Sequence, residues 1–398
     1  MKKILFVPDV ISSNDSGARS ASYTVKILLD MGYNVAIYAS DIDSNKFKKA
    51  NNFIRSHFSM IQHFLSSSIK NEFQKVLSVY KPNYVFFAGG TINKPLAFYS
   101  ICIKKRIPFV FIDYCASYFC LKIFSGTKSG PCHKCINGNF FNAAINNCTD
   151  RQKNKYIYLI IGSIVLFRFR KILKHTHGAI GYGKTQLNTY ESFGIPKNKL
   201  YDSSVFIETK GIALNDASEV AQEDFFLIYG QQRVIKGWHF LNEIFRKCSK
   251  IKFKIAIHDG SKSDSVINQW NLEEFISNGQ LEILKDLDWD GLKNNIYKSK
   301  GIILPSIWST TGEFSLIEAL GAGKPVVTFN VGFHSDYLRN KQNAMVAEVG
   351  DLDIFSENII KLSKDTELSK KISLGALETF KHITSLDRHK FLFKKLFK

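Results

Sequence analysis

The chain has 398 residues, 45% of them hydrophobic, with 33 Phe and 16 Tyr, which excludes a disordered chain and exceeds what one ordinary core takes up. Two domains of roughly 150–200 residues each are expected. Lys and Arg outnumber Asp and Glu by 54 to 35, a net charge of +19 that favours anionic partners: phosphorylated small molecules, anionic lipid headgroups or nucleic acid.

Met1-Lys-Lys leads into Ile4–Val7, but Pro8 and Asp9 cut the run short, so it reads as a first strand rather than a secretory signal. A polar loop, Ser12–Arg19, follows. Its Gly17 permits close backbone approach to a ligand, and Arg19 is a weaker candidate. Ser20–Met31 has helical spacing and Asn34–Ala39 reads as a strand, a βαβ opening without the GxGxxG dinucleotide fingerprint. Lys46–Tyr80 reads as largely helical, Tyr84–Ala88 as a strand, Pro95–Lys105 as a helix and Ile107–Ile112 as a strand ending at Asp113.

The alternation breaks at Cys115–Cys148, rich in Gly, Asn and Cys, which reads as an insertion. Seven cysteines, an odd count without an export signal, point to thiols in a reducing cytoplasm. Cys132-His-Lys-Cys135 has metal-ligand spacing, and Cys120 and Cys148 flank it at similar separations. The four suit a structural zinc; the alternative is reduced packing thiols. Tyr156–Phe167 is strongly apolar and is followed by Arg168, Arg170, Lys171 and Lys174. It is shorter than the ~20 apolar residues of a spanning helix. It reads either as a core-facing helix or as one lying on an anionic membrane surface.

Strand Gly178–Ile180 and helix Lys184–Phe193 close the first half, residues 1–208, and the polar stretch 209–224 reads as a linker. Residues 225–380 restart the grammar: strand Phe225–Tyr229, helix Gly237–Lys247, strand Phe253–Ile257 ending at His258-Asp259, and strand Leu281–Leu284. Gly301–Val331 then spells one βαβ unit, with Thr310–Glu313 as its loop and Glu318 on its helix. Ligands of parallel sheets bind beyond the carboxyl ends of the strands, where these carboxylates fall. Asp286-Leu-Asp288 and Asp351-Leu-Asp353 read as turns and caps, so no catalytic divalent metal is implied. Residues 381–398 form a basic amphipathic end helix that can pack back on the first domain.

Four segments in order, Gly230-x5-Lys236-Gly237, Leu304–Trp308, Leu316–Val327 and Asn343–Phe355, resemble the family 4 glycosyltransferases of the GT-B fold over nearly the whole chain. The resemblance implies two Rossmann-like, doubly wound α/β domains facing a central cleft, the first holding the acceptor and the second the donor. It implies retaining transfer from a UDP- or GDP-sugar to a glycan or lipid-linked acceptor in surface polysaccharide synthesis. The enzyme would be cytoplasmic and peripheral on the membrane, without nucleic-acid partners or a catalytic cofactor. Gly230, Arg233, Lys236, Asp259, Thr311, Gly312, Glu313, Phe314, Ser315, Leu316 and Glu318 would line the donor site.

Lys236 and Arg233 suit a departing diphosphate. Glu318 corresponds to the family's ribose-binding glutamate, although Ser315-Leu-Ile-Glu318 also spells a capping box. The family's other glutamate falls at Thr310, so Glu313 either reaches the sugar through a re-routed loop or is a turn residue. Where the family carries a histidine, this chain has Asp113, either a substrate-orienting acid or a loop-start residue. Lys236, Glu313 and Asp113 are thus the catalytic candidates. A GT-B-fold sugar-nucleotide epimerase and a non-catalytic nucleotide-sugar or lipid binder are the alternatives.

Overall fold

The computed structural model describes residues 1–9, 11, 16–39, 52–55 (backbone only), 67–149, 154–208, 222–257 and 259–398. It divides into two compact units. One comprises Met1–Ser125, His133–Glu208 and Thr384–Lys398; the other comprises Gly126–Cys132 and Thr209–Ile383.

Among the described residues, nine strands belong to the first half of the chain: β1 Lys3–Pro8, β2 Asn34–Ala39, β3 Asn52–Arg55, β4 Tyr84–Ala88, β5 Phe109–Ile112, β6 Gly126–Thr127, β7 Gly130–Pro131, β8 Gly178–Gly181 and β9 Leu200–Asp202. Seven of them form the first unit's sheet in the order β3-β2-β1-β4-β5-β8-β9, all parallel. β1, β4 and β5 lie inside this sheet with helices over both faces, and buried parallel strands need continuous apolar runs, which LFV and YVFFA supply. β3 corrects the reading of Lys46–Tyr80 as one long helix. The helix is Ser67–Tyr80, while residues 46–51 and 56–66 of that reading lie outside the described residues.

The second unit's sheet uses β10 Phe226–Tyr229, β11 Phe253–Ile257, β12 Leu281–Lys285, β13 Gly301–Leu304, β14 Val326–Phe329 and β15 Met345–Ala347. Its order is β12-β11-β10-β13-β14-β15, again all parallel. Two doubly wound sheets bear out the fold expected from the sequence. In each, the strand order reverses at one place: between β1 and β4, and between β10 and β13. Such switch points open a crevice beyond the strand ends, because the loops on either side leave in opposite directions.

Residues 384–398 complete the first unit as helix Leu386–Leu396, whose N-cap Ser385 accepts from Arg388 N–H. His389 Nε2 meets Ser204 O at 3.0 Å, Arg388 pairs with Asp202 at 2.9 Å, and Phe206 stacks on both His389 and Phe393.

Asp288 and Asp351 act as helix N-caps, accepting from Gly291 and Ile354 N–H at 2.7 and 3.0 Å.

Candidate functional site

The second unit's switch point is built by the loop after β10 and the loop after β13. The first contains Gly230, Arg233 and a 3₁₀ turn, Val234–Lys236; the second runs from Pro305 to Glu313. Two backbone features clamp them together. Ile307 N–H donates to Ile235 O at 3.0 Å. Gly237 has φ +74°, and a Cβ there would lie 1.8 Å from Pro305 O, so only glycine fits this crossing.

Clamping brings Lys236 Nζ to 2.7 Å from Glu313 Oε1, with the two side chains only 16% and 5% exposed. Ser306 donates to both carboxylate oxygens (3.0 and 2.8 Å) and Ser315 to Oε1 (3.2 Å). Behind them, His334 Nε2 lies 3.3 Å from Oε2, though not aligned for a hydrogen bond. Thr328 Oγ1 donates to Leu304 O at 2.7 Å and therefore accepts from His334 Nδ1 at 2.8 Å. Burial raises the pKa of Glu313, but Lys236 and His334 outweigh it and hold the carboxyl well below its usual range. Lys236 also sits 5.3 Å from the Trp308 ring centroid.

This geometry corrects the cap reading of Glu313. The residue occupies the N-cap position of helix Phe314–Gly321, yet its side chain makes no cap bond. It turns away to hold Lys236. The Ser315–Glu318 capping box is likewise not formed, because Ser315 lies inside the helix and spends its hydroxyl on Glu313. Phe314, Ser315 and Leu316 supply the helix's first N–H groups, and the first intrahelical bond runs from Ile317 N–H to Glu313 O. A cation and a helix N-terminus thus meet at one point, the arrangement an anionic ligand needs. Glu318 is buried on the same helix.

The rest of the loop is fixed by the next helix. Phe333 N–H donates to Thr310 O at 2.9 Å, and Gly332 packs so closely on Ser309 and Thr310 that a Cβ would come within 2.3 Å of Thr310 N. Thr311 is buried beside Gly312, which takes φ +85°. Asp259 follows β11 and pairs with Lys262 at 2.6 Å, which with Ser261 lowers its pKa. Arg233 is exposed on the β10 loop.

Two other candidates take different parts. Asp113 is fully buried after β5. Its oxygens accept from Thr91 N–H (2.8 Å), Cys115 N–H (3.0 Å), Ser117 N–H (3.3 Å) and Ser117 Oγ (2.5 Å). A carboxylate so enclosed ties the loop after β4 to the loop after β5 and presents nothing to a substrate, which corrects its catalytic reading. Cys120, Cys135 and Cys148 pack partly buried against the first unit's core, whereas Cys132 belongs to the second unit. No three His, Cys, Asp or Glu side chains among the described residues converge as a metal-ligand set. The zinc reading thus gives way to packing thiols, and none of the seven cysteines is in a disulfide.

Gly17 is the second residue of helix Ser16–Asp30, and 12–15 of its loop lie outside the described residues. At the first unit's switch point the sequence reading missed an ion pair between Asp9, after β1, and Lys94, after β4. Lys94 is 1% exposed, and Gly90 N–H and Asn93 also donate to Asp9. It likewise missed His334 and Ser306, which carry no motif; the only hint was that a buried carboxylate needs compensation.

Residues 214–378 match the family model described as "Glycosyl transferases group 1". A search of curated proteins returns no significant match. Among solved structures, the chain is similar to a glycosyltransferase from Rickettsia africae (15% identity, TM-score 0.68, covering 100% of this chain and 99% of that one). It is similar to Anabaena HepE, solved in complex with UDP-glucose (11%, 0.68, 100% and 99%). A third is the lipopolysaccharide outer core galactosyltransferase WaaB (14%, 0.62, 99% and 99%). The chain thus has the GT-B fold, and its second unit carries the sequence pattern of the glycosyl transferases group 1.

Proposed function

We propose that the chain is a retaining, family 4-type glycosyltransferase. It moves a hexosyl group from a UDP- or GDP-sugar to a glycan or lipid-linked acceptor in surface polysaccharide synthesis, at the cytoplasmic face of a membrane. The observation that carries this reading is the buried Lys236–Glu313 pair beside the N-terminus of helix Phe314–Gly321. The family match over this unit and the UDP-glucose and lipopolysaccharide relatives support it.

Cleavage of a sugar–phosphate bond places charge on the departing diphosphate. Lys236 and the N–H groups of Phe314, Ser315 and Leu316 are positioned to receive it without reorganising. Because Ser306 and Ser315 donate to Glu313 and share its charge, the lysine keeps positive potential toward the ligand. Glu318 holds the ribose diol, and Arg233 adds a second contact to phosphate. A donor phosphate oxygen takes the acceptor proton, so Asp113 is not required as a base.

The test is a thermal-shift series with UDP, GDP and their sugars. A matched nucleotide stabilises the native state by about 2.7 kcal/mol at a hundredfold excess over Kd. Lys236→Ala weakens binding roughly tenfold to hundredfold, the worth of a charge-assisted contact. If no nucleotide shifts the wild type, or if the variant shifts equally, the reading fails. A nucleotide sugar altered without transfer would favour an epimerase instead.

A further inference from the structure

Helix Lys155–Leu173 has two different faces. Leu159, Val165, Leu166 and Phe169 are buried in the first unit's core. On the opposite side Ile157, Ile160, Ile164 and Phe167 stand 57%, 62%, 44% and 49% exposed. Their spacing of three, four and three residues places them on one stripe. Four residues further on, the stripe reaches Lys171, whose ammonium lies 4.5 Å from the Phe167 ring centroid. The short helix Phe141–Ile145, packed alongside, adds Phe141 and Ile145, which are 82% and 80% exposed. Isolated exposed apolar side chains are ordinary; a stripe of four, with two more on an adjoining helix, is not.

At its basic end the stripe meets a groove of about 470 Å³ among this helix and the helices Ser67–Tyr80 and Leu96–Lys104. Lys70, Lys104, Arg168 and Lys171 line it, with no carboxylate among the described residues there. No helix among the described residues is long and apolar enough to cross a membrane.

We propose that this face seats the protein on a bilayer leaflet containing anionic phospholipid. The isoleucines and phenylalanines enter the acyl boundary, and the groove takes the phosphate of a lipid headgroup. An apolar stripe running into a groove whose charged lining residues are all cationic complements that layered chemistry, apolar within and negative at the rim. A globular partner would instead need one continuous apolar or mixed-charge surface. The inference deepens the glycosyltransferase reading, and rests on it for why a leaflet is the right address: a lipid-linked acceptor lies there.

Co-sedimentation of the full chain with vesicles of phosphatidylcholine, with and without phosphatidylglycerol, tests it. Only the anionic vesicles should carry the wild type down, increasingly as salt is lowered. Lys104→Gln combined with Lys171→Gln should weaken binding roughly thirtyfold, about fivefold for each charge removed. Ile160→Ser with Ile164→Ser should weaken it at least about tenfold. Both exposed double variants should keep the wild-type nucleotide shift. The emission of a Phe167→Trp variant should move to the blue on anionic vesicles alone.

Equal binding to neutral and anionic vesicles, or wild-type binding by the double variants, overturns the proposal. So does release from vesicles by inorganic phosphate at constant ionic strength, which would make the groove a site for soluble anions. A change in oligomeric mass in the isoleucine variant, with vesicle binding intact, would assign the stripe to a second copy of the chain instead. A protein that shifts with nucleotide but ignores anionic vesicles sinks this inference and leaves the donor site standing; the converse result does the reverse.

Discussion

Thr328 and His334 share a hydrogen bond of 2.8 Å in the interior of the second unit, and it fixes the ring that backs Glu313. Leu304 O holds Thr328 and Thr328 holds His334, whose ring lies against Glu313, and Glu313 in turn holds Lys236. In a low-dielectric site such a chain is worth more than its separate contacts, and breaking it at the carboxylate leaves the Lys236 ammonium without its counter-charge.

Replacing Glu313 by Gln should therefore cost about 3 kcal/mol of stability at neutral pH, measured by urea denaturation. The sign with pH follows from the depressed folded-state pKa. The carboxylate's contribution is complete above the unfolded-state value, about 4.3, and is lost as pH falls through the lower folded value. The gap between wild type and variant should thus narrow with acidification below about pH 4.3. A gap that stays constant would mean that Glu313 acts by shape rather than by charge.

Gly237→Ala should cost at least about 3 kcal/mol, since the new methyl group collides with backbone and not with a side chain that can swing away. The same change should abolish nucleotide-induced stabilisation, because the β10 and β13 loops must part to make room. Calorimetry with and without UDP checks both effects, and a variant of wild-type stability would refute the crossing.

Much of this architecture is legible in the amino-acid order, because buried parallel strands demand short apolar runs. Phe226–Tyr229, Phe253–Ile257, Gly301–Leu304 and Val326–Phe329 all stand out that way. What local pattern does not report is which loops meet. Glu313 looked displaced when judged by spacing from Glu318; in three dimensions its place is set by Lys236, more than seventy residues away in sequence. His334 and Asp113 were opaque for a related reason. A histidine in Gly-Phe-His-Ser and an aspartate in Asp-Tyr-Cys look alike whether they face a ligand or satisfy buried neighbours. The strand Asn52–Arg55 escaped because its run is short and set among polar residues, so its partner β2 rather than its own pattern defines it. The stretch 115–148, read as one insertion, is divided, since Gly126–Cys132 packs with the second unit through Trp308 and Ile235.

His389 supplies a third prediction, for the first unit. Burial pushes its pKa down to about 4, against the hydrogen bond to Ser204 O, which raises it. The neutral ring is thus favoured in the folded state. Its contribution is intact above the unfolded value of about 6.5 and is lost as pH falls toward the folded one. Roughly 2 kcal/mol should be gone by pH 5. His389→Gln, which can still donate to Ser204 O, should flatten that acid limb; equal acid sensitivity would show that other groups dominate it.

The return of residues 384–398 to the first unit has a consequence for the order of events during translation. Lys2 Nζ donates to Phe397 O, Tyr84 OH to Lys398 O, and His177 Nε2 lies 2.9 Å from Leu396 O. A ribosome therefore releases the whole second unit before it emits the residues that seal the first. Until then Phe86, Phe206 and their neighbours lack their aromatic cover from Phe393 and Phe397. The half of the molecule that is made first is finished last, and a chain ended before Leu386 would carry the second unit complete while the first unit's apolar face stayed open.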